Sequence, residues 1–66
     1  MKYVMLNSHI VCVNDIRNTY MSLGDIYIDF KNGNQETLKI YYSDVGSCKE
    51  NFLELCKALK DLEEGH

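Results

Sequence analysis

Two stretches of strict alternation in the middle of the chain limit its fold more than any other feature. Over residues 25–31, Ile26, Ile28 and Phe30 fall on one side of an extended backbone and Asp25, Tyr27, Asp29 and Lys31 on the other. Over residues 37–42, Leu38, Ile40 and Tyr42 alternate in the same way with Thr37, Lys39 and Tyr41. A period of two with one apolar side is the signature of a half-buried strand. Asn32-Gly33 between the two stretches predicts a hairpin. A two-residue turn there would set Ile28 against Thr37, apolar against polar. A three-residue loop Asn32-Gly33-Asn34 instead pairs Ile28 with Leu38 and Ile26 with Ile40, which keeps one face apolar. The expected loop therefore has three or five residues.

The preceding third of the chain reads as more strand. Tyr3–Leu6 and the β-branched run over 9–13 flank an Asn7-Ser8 turn signal. Both runs are apolar on both sides, and such strands need cover on two faces. Asn14-Asp15 breaks the pattern. Ile16–Ser22 then reads as a more polar strand, and Gly24 marks a turn.

After residue 43 the period changes. Ser47 followed by Glu50 makes a capping box that predicts a helix start. Phe52, Leu55, Cys56, Leu59 and Leu62 recur at helical spacing as the stripe that docks on the sheet. Lys49, Asn51, Glu54, Lys57, Lys60 and Asp61 take the wet face. Glu63 and Glu64 oppose the helix dipole, so the last turn is expected to fray. The expected fold class is α+β, an antiparallel sheet of four to five short strands followed by one C-terminal amphipathic helix packed on one face, with residues 1–66 in a single domain.

A chain of 66 residues buries only about 60% of the surface its unfolded form exposes, so it needs help to be stable. Disulfides are a poor candidate. The three cysteines, Cys12, Cys48 and Cys56, are odd in number and irregularly spaced, and the first residues turn polar too early for a secretory segment. A reducing, cytoplasmic location is expected. No stretch approaches the length of a membrane span. A structural metal needs four convergent ligands, whereas His9 and Cys12 point to opposite faces of a strand and Cys48 and Cys56 lie about 12 Å apart along a helix. No metal or cofactor is expected. Self-association, as a dimer or tetramer, is the expected help, with the excess apolar surface of residues 3–13 covered by another subunit.

Few residues carry catalytic chemistry, and none is assigned a catalytic role. Asp25 and Asp29 share a strand face but stand about 13 Å apart, too far for a close acid/base pair. Ser8-His9 lacks the glycine-flanked elbow of a serine nucleophile. Cys12 and Cys56 read as small core residues. Cys48 reads as an exposed thiol at a helix start, with a lowered pKa. The four glycines are isolated, so no phosphate loop is present. The protein is read as a non-enzyme.

Binding is left. Seven basic residues against ten acidic give a net charge of −3, opposite to the footprint of a phosphate binder. The outward hairpin face, with Asp25, Tyr27, Asp29, Lys39 and Tyr41, is the expected partner-binding surface. Tyrosine is enriched in protein interfaces, so a protein partner is the first expectation. Tyrosine also stacks on bases, so a nucleic-acid or nucleotide binder working through a dimeric sheet is the alternative.

The run of short strands, the hairpin arm Ile26-Tyr27-Ile28-Asp29-Phe30-Lys31-Asn32-Gly33, its return Thr37-Leu38-Lys39-Ile40-Tyr41-Tyr42 and one terminal helix resemble the small sheet-plus-helix proteins of phages and mobile elements. Some of those are inhibitors of host defence, anti-CRISPR proteins among them. The resemblance implies an inhibitor that works by binding a protein. The order of four strands then a helix is also similar to the coactivator-type single-stranded-DNA-binding fold, from which this chain departs in its acidic charge.

Overall fold

The computed structural model describes residues 1–31 and 37–65. In chain order it contains β1 (Tyr3–Leu6), β2 (His9–Cys12), a 3-10 turn at Val13–Asp15, β3 (Ile16–Ser22), β4 (Asp25–Phe30), β5 (Leu38–Ile40) and α1 (Val45–Gly65). The architecture is α+β with antiparallel pairing throughout the described strands. The expected sheet of four to five strands is corrected. The strands divide into a two-stranded sheet, β1-β2, and a three-stranded sheet, β3-β4-β5.

The sequence pattern carries β2 one residue further, but the strand ends at Cys12 and Val13 is buried at the start of the 3-10 turn. The turn is bonded to both sheets. The Val13 N–H donates to the Lys2 carbonyl at 2.8 Å, and the Lys31 N–H donates to the Asp15 carbonyl at 2.8 Å. The chain thus passes from one sheet to the next through this turn.

Two tight turns set the registers. Asn7 and Ser8 have φ of 46° and 73°, and Leu23 and Gly24 have φ of 52° and 81°. Positive φ at both central residues is the backbone twist that suits a two-residue hairpin. Leu6 accordingly faces His9, and Ser22 faces Asp25. Further along, a bulge at Arg17 shifts the β3-β4 pairing between Ile16 and Asn18. In the other hairpin, Ile28 pairs with Leu38 and Ile26 with Ile40, the register expected from alternation. The loop Asn32-Gly33-Asn34 lies outside the described residues.

The core draws on both sheets and the helix. Leu6 and Val11 come from the first sheet, Ile16, Ile26, Ile28 and Ile40 from the second, and Cys48 and Leu55 from α1. Val4, Phe30, Leu38, Tyr42, Phe52 and Leu59 close around them. α1 begins at Val45, two residues before the expected start, and its N-cap is Asp44. The Asp44 carboxylate accepts the Ser47 N–H and the Ser47 hydroxyl, each at 3.0 Å. A carboxylate at a helix N-terminus is an ionised acceptor facing the positive end of the dipole, and it displaces the Ser47–Glu50 box.

The buried stripe on α1 keeps Phe52, Leu55, Leu59 and Leu62 from the expected one and loses Cys56. Cys48, Leu55 and Ala58 are buried, with Phe52, Leu59 and Leu62 half-buried beside them. The helix seam takes small side chains where it lies closest to the sheets, and the cysteine readings change with it. Cys56 is exposed, Cys12 is half-buried, and Cys48 is buried rather than exposed. Burial pushes the Cys48 thiol above its ordinary value, opposite to the expected lowering. The helix extends through Glu63 and Glu64 to Gly65.

Asn51, expected on the wet face, is half-buried. Its Oδ1 accepts the Tyr42 hydroxyl at 2.9 Å and the Asn7 N–H at 3.1 Å. Asn7 in turn donates its side-chain N–H to the Tyr41 carbonyl. The turn of the first sheet is thereby tied to the end of β5 and to α1.

Candidate partner-binding site

The three-stranded sheet buries Ile26, Ile28 and Ile40 and turns the alternate residues outward. The Leu23-Gly24 turn places Tyr20 opposite Tyr27, and the β4-β5 register places Tyr27 opposite Lys39. Side chains directly opposite on an antiparallel pair lie close enough to interact. The Tyr20 and Tyr27 rings stack with centroids 5.1 Å apart and planes 6° from parallel. On the other side of Tyr27, Lys39 Nζ lies 5.6 Å from the ring centroid, and it is 4.8 Å from the Tyr41 centroid. Tyr20, Tyr27 and Lys39 form a row across the three strands, and Tyr41, two residues past Lys39 in the chain, extends it beyond the end of β5.

Asp25 anchors the row from one end. Its Oδ2 is 3.8 Å from Lys39 Nζ, and its Oδ1 accepts the Tyr42 N–H at 3.0 Å. That second bond explains why β5 ends at Ile40 where the sequence extends it to Tyr42, because the Tyr42 N–H is taken by a side chain and leaves the ladder. Lys39 is held above its ordinary pKa, chiefly by the Tyr27 hydroxyl, with desolvation opposing and Tyr41 and Asp25 adding to the rise. The ammonium therefore stays charged across the physiological range.

Of the five expected residues, the structure brings Asp25, Tyr27, Lys39 and Tyr41 together. Asp29 is on the same face but outside the row, where it accepts a hydrogen bond from the Thr37 hydroxyl. Tyr20 is the residue that the sequence reading left out of the site. The signal for it was the two-residue turn at Leu23-Gly24, which sets Tyr20 against Tyr27. Tyr3 belongs to the other sheet.

The geometry limits the chemistry. Tyr20 stacks on one face of Tyr27, and the Lys39 ammonium lies beside the Tyr27 hydroxyl. Among the described residues, no three His, Cys, Asp or Glu side chains are grouped to hold a metal ion. A groove of about 630 Å³ lies elsewhere, between the start of β3 and the last turns of α1, walled in part by Arg17, Lys31 and Glu63. None of the five expected residues lines it. No described helix is long and apolar enough to cross a membrane. Neither a family model, nor a curated protein, nor a solved structure matches this chain.

Proposed function

We propose that this chain is a non-enzymatic, self-associating binding protein that engages a protein partner through the outer face of its three-stranded sheet. The observation that supports this reading is the pre-formed row of Tyr20, Tyr27, Lys39 and Tyr41, with Asp25 bonded at its end. Tyrosines supply large, amphipathic contact area at a small cost in side-chain freedom, and the stacking and cation contacts reduce that cost further. An inhibitor that acts by occupying a partner's surface, as the likeness to small phage and mobile-element proteins implies, is the role we attach to it, in the cytoplasm.

The nucleic-acid alternative is disfavoured by the same geometry. Stacking on bases needs an open ring face, and Tyr20 takes one face of Tyr27. The net charge of −3 also works against phosphate contacts.

Affinity capture from a host lysate tests the reading, using wild type beside the Tyr27→Ala/Tyr41→Ala double variant. We expect a protein retained by wild type and lost by the variant, with the circular dichroism spectrum unchanged. Equal capture by both would overturn the assignment of this face. Retention of an oligonucleotide that falls steeply with added salt would favour the alternative.

A further inference from the structure

The two-stranded sheet has an outer face that nothing among the described residues covers. Tyr3 faces Cys12 and Met5 faces Ile10 across the β1-β2 ladder, so these four side chains share one side while Val4, Leu6 and Val11 share the other with the core. Tyr3 is 59% exposed, Met5 61% and Ile10 69%. Met1, itself 88% exposed, lies over the same side, with its sulfur 3.8 Å from Cys12 Sγ and 3.9 Å from the Tyr3 hydroxyl.

We infer that this face is the interface through which two copies of the chain pair about a two-fold axis, hairpin against hairpin. The proposal rests on the self-association in the reading above and is independent of the tyrosine row, which lies on the other sheet.

Area is the first argument. At roughly 200 Å² for a large side chain, these exposed fractions leave roughly 500 Å² of contiguous apolar surface, at the upper end of what a monomer shows. A two-fold contact uses the patch twice and buries about 1,000 Å², the lower bound of a specific interface. A dimer of modest affinity follows.

Charge is the second. A two-fold interface sets a surface against itself, so a charge near the axis meets its own copy. No side chain on this face is charged, and the Met1 α-amino group is the one charge its residues bring. Lys2, beside it in the chain, is drawn toward α1, with Nζ 3.3 Å from Asp61 Oδ2. His9 sits opposite Leu6, on the other side of the ladder.

The third argument is structural. A two-stranded sheet is marginal on its own and needs packing to persist. The core covers one side of β1-β2. A second hairpin on the other side gives it the two-layer cover that its doubly apolar strands call for. Methionine, flexible and polarizable, suits a contact in which each side chain meets its symmetry mate.

The test is sedimentation velocity on the full-length chain over a hundredfold range of concentration, for wild type, Met5→Lys/Ile10→Lys and Tyr27→Ala/Tyr41→Ala. Wild type should shift from monomer to dimer with rising concentration. The lysine pair should weaken dimerisation more than about a hundredfold, since each copy would bury charges without partners. Because both positions are exposed, its far-ultraviolet spectrum should match wild type. The tyrosine variant should dimerise as wild type does, which separates this proposal from the partner-binding one. Added sodium chloride should not dissociate an apolar dimer. Wild type that stays monomeric at the highest concentration, a dimer indifferent to the two lysines, or a dimer dissolved by salt would each overturn the proposal.

Discussion

The two sheets of this protein handle their outer faces in opposite ways. The three-stranded sheet turns out Tyr20, Tyr27, Lys39, Tyr41 and Asp25, which satisfy one another through stacking, cation and hydrogen-bond contacts. The two-stranded sheet turns out Tyr3, Met5 and Ile10, which touch little but water. The first surface is satisfied by contacts within one chain. The second leaves its uncharged side chains exposed, which suits the pairing proposed above. The two proposed binding duties fall on different sheets.

Substitutions at adjacent residues of β1 should break this contrast most sharply. Leu6 is fully buried and Met5 points out. Leu6→Ala should cost about 3 kcal/mol in urea unfolding, as core truncations do. Met5→Ala, measured on dilute protein, should cost little. Similar losses at both positions would mean that the outer hairpin face is covered within the single chain. Ile28→Ala in β4 should match Leu6→Ala, because both side chains fill the same core.

Next in size is the tie between the sheets. Asn51→Ala removes the acceptor shared by the Tyr42 hydroxyl and the Asn7 N–H. Leaving polar groups unpaired in part-buried surroundings should cost about 1–2 kcal/mol. Hydrogen exchange should show the loss of protection concentrated in β1 and β2, the sheet with fewer strands to hold it.

The turns should respond in the opposite direction. Ser8 and Leu23 hold φ of 73° and 52°, in the left-handed region that side chains disfavour. Ser8→Gly and Leu23→Asn would each install the residue pair that two-residue hairpins favour, and each should raise stability by up to about 1 kcal/mol in urea unfolding. Leu23 is 97% exposed, so no packing is lost there.

The smallest effect is a drift with pH. Burial raises Tyr42 above its ordinary 10.0 and Cys48 above its ordinary 9.0. Both groups are neutral at lower pH, so their contribution is intact below those ordinary values and lost as the pH rises through the higher folded ones. On the acid side, the Ser47 N–H and hydroxyl hold Asp44 below its ordinary 3.8. That contribution is present above the ordinary value and lost as the pH falls through the folded one. Urea midpoints should be flat between these limits and decline beyond each.

Much of this was legible locally. Alternation located β4 and its register with β5, since a slip of one residue would have turned Ile26 and Ile28 to water. The residues of β1 and β3 were equally clear from their composition and the turn signals beside them. The helix was legible with most of its seam, since Phe52, Leu55, Leu59 and Leu62 all turn inward, but its N-cap was not. Ser47 and Asp44 both suit a cap, and the packed core decides between them. Once Cys48 and Ala58 face that core, Cys56 must face out. Tyr20 was missed at the site because its partner depends on the exact length of a turn.

By itself, then, the sequence determined where the chain is extended or helical and which side of β4, β5 and α1 is apolar, because periodicity is a property of neighbours along the backbone. The tertiary structure decided that the strands form two sheets, that Asn51 joins them, and that Tyr20, Tyr27, Lys39 and Tyr41 line up in one row. Those outcomes depend on contacts between residues far apart in the chain, set by how a limited core is shared among the three packed elements.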